Sequence, residues 1–197
     1  MEDVLYTKQQ SLAYVVGIAL GDGNLSNPNG RAVRLRVTCD AKYPVLLNKI
    51  MRHIQLVRPG NKVSLVDRKT CVDVSCYSNA WEDILGWKVG SKFSQNASVP
   101  AWIFQSKDFI IPCLCGLIES DGSVYKDRGY QMVFFTNVVY RLAKDVCAMF
   151  QQLGFEPKFY TVVPPKDRYQ YDGKVVYNVR LSKNVNSFLN LVQPQKC

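Results

Sequence analysis

Two aspartates, Asp22 and Asp121, end two related segments and together could bind a metal ion. Residues 14–23 read YVVGIALGDG and residues 113–122 read CLCGLIESDG, so each aspartate follows an apolar run that contains a glycine. An Asp-Gly pair can simply end a helix, with the glycine just beyond its last turn. Its presence at the same place in both segments favours a shared site instead. Two carboxylates at adjoining helix C-termini would make a negative pocket suited to Mg²⁺.

Small residues predict that the two segments are helices in close contact. On a helix, Gly17 and Gly21 lie on one stripe, and Gly116 and Ser120 lie on another. Stripes of small residues let two helix backbones approach closely. We therefore predict that these four residues form the helix interface. The predicted metal site consists of Asp22 and Asp121, together with Gly21 and Ser120, which directly precede them.

The order of elements around the two segments indicates an internal duplication. Both halves read as helix, strand, strand, helix, strand, strand, helix, with the first helix predicted over residues 11–20 (Ser11 as its N-cap) and its counterpart over 111–120. The predicted fold class is α+β, with two pseudo-symmetric αββαββα repeats, an antiparallel sheet in each, and the motif helices at the centre. We place the first repeat at residues 1–87, a linker at 88–107 and the second repeat at 108–197.

The charge of the chain indicates a polyanionic partner. The formal net charge is +9 and the pI is near 9.2. Residues 1–106 contribute +5 and residues 107–197 contribute +4, so the basic charge is not confined to a tail. Nucleic acid is the first choice of partner, and a basic protein without a specific partner is the alternative.

A polar sheet face is the predicted nucleic-acid surface. In residues 31–38, RAVRLRVT, the arginines alternate with apolar residues, so one face of this strand is basic. Strands of this kind fit the major groove, where side chains reach base edges. The candidate contact residues are Arg34, Arg36, Lys62, Ser64, Arg68, Lys69, Lys126, Arg128, Gln131, Asn137, Lys158, Lys166, Arg168, Lys174, Asn178 and Arg180.

Cysteine and histidine usage argues against several other classes. The seven cysteines include no Cys-x-x-Cys pair, which disfavours a zinc site or a disulfide framework and favours reduced core thiols. His53 is the single histidine, which disfavours enzymes that need histidine as base or ligand. The apolar runs are too short to cross a bilayer and the N-terminal residues do not resemble a secretory signal. We expect an intracellular protein with no membrane partner.

The two motifs resemble the signature of the LAGLIDADG homing endonucleases. The second motif matches that signature at Leu114, Gly116, Leu117, Ile118, Asp121 and Gly122, and the first matches at Gly17, Asp22 and Gly23. The sixth motif residue differs between the repeats, being Leu20 in one and Glu119 in the other. The order and spacing of elements follow the single-chain, two-motif members over nearly the whole chain.

The resemblance implies a fold in which the two sheets form a DNA-binding saddle. It implies an endonuclease that cuts both strands of duplex DNA across the minor groove, at a long asymmetric site, leaving short 3′ overhangs. Asp22 and Asp121 would bind Mg²⁺, with Mn²⁺ able to substitute and Ca²⁺ supporting binding without cleavage. Lys92 and Lys196 are the candidate catalytic lysines. Such a protein would be encoded by an intron or an intein, with the intron favoured, and would act as a monomer.

The resemblance also implies residues that hold water near the metal. The matching positions are Cys39 or Asp40 in the first repeat and Asn137 in the second. A thiol is a weak donor, so Cys39 would organise water poorly.

Three other functions stay open at this point. The same fold could serve an intron RNA maturase, which would bind structured RNA, or a DNA-binding protein without cleavage activity. A basic structural protein is the third alternative. The host compartment also stays open among an organelle (mitochondrion or chloroplast), a bacterial cytoplasm and a phage-infected cell.

Overall fold

The chain folds into two units with the same order of elements. The computed structural model describes residues 6–163 and 174–196. The first unit contains α1 (Lys8–Asp22), β1 (Gly23–Ser26), β2 (Arg34–Asp40), α2 (Pro44–Val57), β3 (Val63–Asp67), β4 (Cys71–Tyr77) and α3 (Trp81–Leu85). The second contains α4 (Lys107–Asp121), β5 (Gly122–Asp127), β6 (Tyr130–Asn137), α5 (Tyr140–Gln152), β7 (Lys158–Val162), β8 (Val176–Leu181) and α6 (Val185–Val192). A 3₁₀-helix, Ala101–Gln105, lies between them.

Each unit has one four-stranded antiparallel sheet, and the two sheets have the same topology. The strand orders are β1-β2-β4-β3 and β5-β6-β8-β7. Gly23 pairs with Val37 in the first sheet, and Gly122 pairs with Phe135 in the second. This register makes Thr136 the equivalent of Thr38, as the sequence comparison of the two halves predicts. The α+β class with two pseudo-symmetric αββαββα repeats is therefore confirmed.

Both motif helices begin earlier than the sequence predicts. The N-cap of α1 is Thr7, not Ser11, because Thr7 and Gln10 form a reciprocal capping box. Ser11 is instead fully buried. Helix α4 begins after Ser106, whose side chain accepts a hydrogen bond from the backbone N–H of Asp108. The predicted start at residue 111 was wrong because Pro112 lies inside this helix rather than in its first turn.

The motif helices form the centre of the core. Residues 13–20 of α1 and 112–120 of α4 are all buried, as expected for helices covered on every side. Helix α2 is amphipathic and begins with Pro44 at a first-turn position, where the missing N–H costs no hydrogen bond. Its apolar side packs on the first unit, and α5 does the same in the second. The core therefore holds the C-terminal ends of α1 and α4 at the middle of the molecule.

The described cysteines are reduced, and the histidine is internal. Six cysteines are free, and five of them are buried. His53 is buried, with Nδ1 3.1 Å from the hydroxyl oxygen of Ser11. Over residues 6–163 and 174–196, no helix has the length and apolar character needed to cross a membrane.

Candidate functional site

Helices α1 and α4 meet through their backbones. A Cβ atom on Gly116 would lie 2.6 Å from both the N atom of Ile18 and the carbonyl oxygen of Tyr14. A Cβ on Gly17 would overlap the carbonyl oxygen of Cys113. Any side chain at either glycine would therefore push one helix backbone away from the other.

The contact continues to the ends of both helices. Ser120 donates its hydroxyl to the carbonyls of Gly116 and Leu117 at 2.9 and 3.1 Å, and its side chain fills the space in front of Gly21. A Cβ on Gly21 would lie 3.4 Å from the carboxyl carbon of Asp121. The four predicted interface residues thus lie at this contact, which brings Asp121 to the end of α1.

Both aspartates carry a raised pKa, mainly because they are buried. Burial, together with the charge of Asp121, raises the pKa of Asp22 to about 6, against the opposing charges of Lys196 and Lys92. Burial also raises the pKa of Asp121, although a hydrogen bond from Asn137 and the same two lysines lower it. The site therefore disfavours two negative charges, and a cation between them would relieve this cost.

The two predicted lysines cap the two motif helices. Lys92 Nζ donates to the carbonyls of Ala19 and Leu20 at 3.1 and 2.7 Å and also to that of Gly21. Lys196 Nζ donates to the carbonyl of Ser120 at 2.6 Å. Each ammonium group thus lies at the negative end of a helix dipole.

Burial lowers the pKa of Lys92 to about 8, although the charges of Asp121 and Asp22 raise it. Near neutral pH a lysine with this pKa can exchange its proton, which an ordinary lysine does not do.

Two cavities open beside the aspartates, and each is lined by residues of both repeats. Asp121 lines a cavity of about 310 Å³ together with Lys92 and Asn137. Asp22 lines a cavity of about 380 Å³ together with Lys196 and Cys39. The pseudo-symmetry therefore gives each carboxylate its own lysine and its own residue from the end of a second strand.

The two cavities differ in the hydrogen bond to the carboxylate. Asn137 Nδ2 donates to Asp121 Oδ2 at 2.6 Å, and its Oδ1 accepts from the backbone N–H of Val139 at 2.7 Å. Cys39 occupies the equivalent position beside Asp22, but its thiol contacts the carbonyl oxygen of Asp40 at 3.6 Å. In the described part of the chain, no side chain donates a hydrogen bond to the carboxylate of Asp22. Asn137 therefore lies in the central site, where the resemblance implies a residue that holds water near the metal. Its predicted contact with DNA stays a prediction.

The available donors fit a hard divalent cation. The carboxylates of Asp22 and Asp121 supply oxygen ligands, and residues 6–163 and 174–196 contain no cluster of three or more metal-binding side chains. Mg²⁺ commonly takes one or two carboxylates and completes its octahedral shell with water and phosphate oxygens. The carbonyls of Gly21 and Ser120, which belong to the predicted metal site, accept hydrogen bonds from Lys92 and Lys196. Asp22 and Asp121 supply the carboxylates of the candidate site, and the part of Gly21 and Ser120 in it stays a prediction.

The first sheet presents the predicted basic face. Arg36 on β2 lies opposite Ser75, which in turn lies opposite Ser64 on β3. Arg34 lies two residues before Arg36 on the same face, and its Nε donates to the hydroxyl of Ser26 at 3.3 Å. The alternating residues of β2 are buried, so the arginines face away from the helices. Lys62 is exposed at the start of β3.

Asp73, which sequence reasoning missed, contacts two of the arginines predicted to bind DNA, Arg36 and Arg68. Its Oδ1 accepts a hydrogen bond from the hydroxyl of Thr38 at 2.7 Å, and its Oδ2 accepts one from Arg68 Nε at 3.0 Å. Arg36 Nη1 lies 3.9 Å from the same carboxylate. Burial raises the pKa of Asp73, but these hydrogen bonds and charges outweigh that and hold the pKa below its usual value. An aspartate within the apolar strand TCVDVSCYS was the available signal.

The second sheet repeats part of this arrangement. Thr136 donates its hydroxyl to Asn178 Oδ1 at 3.0 Å, as Thr38 does to Asp73 in the first sheet. Arg180 lies opposite Lys158 on the same face as Asn178. The predicted contacts Asn178, Arg180 and Lys158 thus share one face.

Two predicted contacts lie on the other side of the second sheet. Lys126 pairs with Gln131. Both lie on the face of the sheet that carries Val124 and Val133, which is opposite the polar face. The sequence QMVFFT does not alternate cleanly, so the faces of this strand could not be assigned in advance. The role of Lys126 and Gln131 in DNA binding stays a prediction.

The remaining predicted contacts lie at turns or outside the described residues. Lys69 and Arg128 are exposed at the tips of two hairpins, and both have positive φ angles. Lys174 places its ammonium group 4.2 Å from the ring centroid of Phe93, which lines the Asp121 cavity. Two predicted contacts lie outside the described residues, namely Lys166 and Arg168.

Glu119 is a second residue whose role the sequence did not show. Its Oε2 accepts the hydroxyl of Tyr14 at 2.7 Å, and its Oε1 accepts Lys49 Nζ at 2.8 Å and the backbone N–H of Gln195 at 2.7 Å. The side chain is completely buried. Glu119 therefore fixes the C-terminal segment that places Lys196 at the end of α4.

Comparison with known proteins supports the resemblance carried by the motifs. Residues 108–193 match the family model described as a LAGLIDADG-like domain. No curated protein sequence matches the chain.

Several solved structures share the fold of the whole chain. A structure of mesophilic variants of the homing endonuclease I-DmoI covers 94% of this chain and 97% of its own, with 15% identity and a TM-score of 0.67. I-DmoI in complex with DNA and Mn has the same coverage, 16% identity and a TM-score of 0.65. Full-length DUF199/WhiA from Thermatoga maritima covers 98% of this chain and 59% of its own, with 10% identity and a TM-score of 0.66. The chain therefore has the two-repeat, single-chain LAGLIDADG fold, and its second repeat matches the model of a LAGLIDADG-like domain.

Proposed function

We propose that this protein is a site-specific endonuclease that hydrolyses both strands of duplex DNA at a long asymmetric site. The observation that carries the proposal is the pairing of Asp22 and Asp121 at the adjoining ends of α1 and α4, each with its own cavity and lysine. The fold alone would not suffice, because one fold can serve several functions. Structures of I-DmoI in complex with DNA and Mn, and with target DNA in the presence of Mg, support the DNA partner and the divalent metal.

In this proposal Asp22 and Asp121 hold a divalent cation, and Mg²⁺ fits their oxygen donors. When bound, such a cation lowers the pKa of an attacking water and stabilises the departing oxygen. Mn²⁺ would substitute, and Ca²⁺ would support binding without cleavage. Burial raises the pKa of both carboxylates, and the charge of Asp121 raises the pKa of Asp22 further. A pocket in which negative charge is already unfavourable would bind a cation more readily than phosphate.

The lysines would accept a proton from the attacking water and offset negative charge at phosphorus. Water adds its oxygen to phosphorus, the bond to the 3′ oxygen breaks, and the products are a 5′-phosphate and a 3′-hydroxyl. Lys92, with a pKa of about 8, can accept the proton of the attacking water in its neutral form. In its charged form it can offset negative charge at phosphorus. Lys196, held at α4, would serve the other cavity.

The sheets would supply affinity and sequence preference. If about ten phosphates are neutralised, the binding constant should fall by roughly 10³–10⁵ between 50 and 200 mM salt. Arg34, Arg36 and Arg180 are candidate guanine contacts, and each bidentate pair discriminates by about 1–3 kcal/mol. Both carboxylates come from one chain, so we propose that the protein acts as a monomer.

The test begins with selection of duplex DNA that the protein binds in Ca²⁺. Mg²⁺ is then added to the selected pool, and the ends are mapped on both strands. Paired cuts offset by a few bases at one site support the proposal. Selective binding with no cut in Mg²⁺ or Mn²⁺ contradicts cleavage, and tighter binding to structured intron RNA than to duplex DNA would favour a maturase.

A further inference from the structure

The two sheet faces differ in chemistry at equivalent positions. Leu25 pairs with Leu35 in the first sheet, and Val124 pairs with Val133 in the second, which fixes the equivalence of the two faces. By this register, Ser26, Arg34 and Arg36 of the first sheet correspond to Tyr125, Met132 and Phe134 of the second. Two basic residues and a hydroxyl are thus replaced by three largely apolar side chains.

The apolar residues of the second face form one patch. Tyr125 lies directly opposite Met132, and the rings of Tyr125 and Phe134 make an edge contact with centroids 6.4 Å apart. Tyr125 is 40% exposed, and Tyr130 at the end of the same hairpin is 72% exposed. Exposed apolar patches of this kind are commonly binding sites for a ligand or a macromolecular partner.

Basic groups lie next to this patch, which favours DNA as the occupant. Arg180 lies opposite Phe134 and stacks over the ring of Tyr160 at 5.4 Å. Lys158 lies beside Arg180 on the next strand. Cationic groups around an apolar centre suit a duplex, because the cations meet phosphates, or a guanine in the case proposed for Arg180, while the other base edges meet the centre.

The apolar centre matches one feature of the major groove. Thymine presents a 5-methyl group there, and apolar side chains contact it, whereas arginine prefers the O6 and N7 acceptors of guanine. Equivalent side chains of two pseudo-symmetric sheets would face twofold-related base pairs of the bound duplex.

We propose that the second sheet selects thymines at base pairs that are twofold-related to guanines selected by Arg34 and Arg36. The half-site under Tyr125, Met132 and Phe134 is then rich in A·T pairs, and the half-site under the first sheet contains G·C pairs at the matching positions. This inference rests on the proposed binding of duplex DNA, and it specifies the substrate of that site.

The test uses a duplex selected in Ca²⁺, with single bases replaced by close analogues. Replacing thymine with deoxyuridine under the second sheet removes only methyl groups, and the affinity should fall about fourfold for each contacted methyl. The same replacement under the first sheet should have no effect and is the matched control. Replacing guanine with 7-deazaguanine under the first sheet should weaken binding by about 5- to 150-fold.

Exchange of equivalent residues provides a second readout. Phe134→Arg should change the preferred base at its position from thymine towards guanine, and Arg36→Phe should make the opposite change. Each variant keeps the other half-site as an internal control for folding.

Selective binding that is equally sensitive to deoxyuridine in both halves would overturn the inference and leave the proposed function intact. Self-association that Phe134→Arg abolishes would also overturn it, since the patch would then bind a second copy. A lack of binding to any duplex would instead contradict the proposed function itself.

Discussion

Replacement of Gly116 by alanine should both destabilise the protein and impair cleavage. The added Cβ would lie 2.6 Å from two backbone atoms of α1, the N of Ile18 and the carbonyl oxygen of Tyr14. Ordinary van der Waals contact begins near 3.4 Å, so the helices would have to separate by roughly 0.8 Å. Backbone atoms cannot rotate away, and overpacking of a core costs about 1–3 kcal/mol. We expect a loss near the upper value.

The expected effects can be measured separately. A loss of about 3 kcal/mol should lower the melting temperature by about 6–12 °C in a chain of this length. The same displacement separates Asp22 from Asp121, and a misplacement near 1 Å can reduce a rate by about 10²-fold. Cleavage of the selected duplex at a temperature where the variant is folded measures the second effect.

Gly60→Ala is the matched control. A Cβ on Gly60 would have no neighbour within 4 Å. This substitution should leave stability unchanged or raise it by a few tenths of a kcal/mol, through lower entropy of the unfolded chain. If Gly116→Ala melted and cleaved like Gly60→Ala, the close helix contact would be refuted.

Three further predictions concern the buried acid, the metal-free site and the unequal cavities. Glu119→Ala should lower the free energy of unfolding by about 3–5 kcal/mol in urea titrations, because Lys49 is left buried without its partner, whereas Glu119→Gln should lower it less. Asp22 has a folded pKa of about 6 against an ordinary 3.8, so it destabilises the metal-free fold above pH 6 and this cost disappears as the pH falls to 4. Asp22→Asn should therefore melt higher than the parent at pH 7, with the difference shrinking by pH 4; a difference independent of pH would contradict this. Cys39→Asn should speed the cut made beside Asp22 relative to the other strand in a nicking assay, because an amide would donate to that carboxylate as in the other cavity.

The fold could be predicted from the sequence because the same sequence signals occur in both halves of the chain. Two Asp-Gly motifs, two amphipathic helices and matching strand pairs occur in the same order in both halves, so each half supports the assignment of the other. The helix starts were less predictable. Thr7 and Ser106 cap α1 and α4 through side-chain hydrogen bonds. The sequence instead indicated starts at Ser11 and just before Pro112.

The central site was partly predictable for the same reason. Asp22 and Asp121 follow from the motif, and the lysines follow from the family resemblance. Glu119 and Asp73 were not singled out, because part of their role depends on partners distant in the chain, Tyr14 for Glu119 at 105 residues and Thr38 for Asp73 at 35.

The face of β6 was also unpredictable. Both sides of QMVFFT are apolar, one side against the core and the other towards solvent. Periodicity cannot separate two apolar faces, so the sequence did not show on which side of the sheet Gln131 and its partner Lys126 lie.

The most direct test of the proposed metal site compares cleavage with binding in Asp121→Asn. We expect this variant to keep the affinity of the parent for the selected duplex in Ca²⁺, because the sheets supply the binding. We also expect that neither strand is cut in Mg²⁺, because one of the two proposed metal-binding carboxylates is lost. Cleavage retained at the rate of the parent protein would contradict the assignment of Asp22 and Asp121 as the metal site.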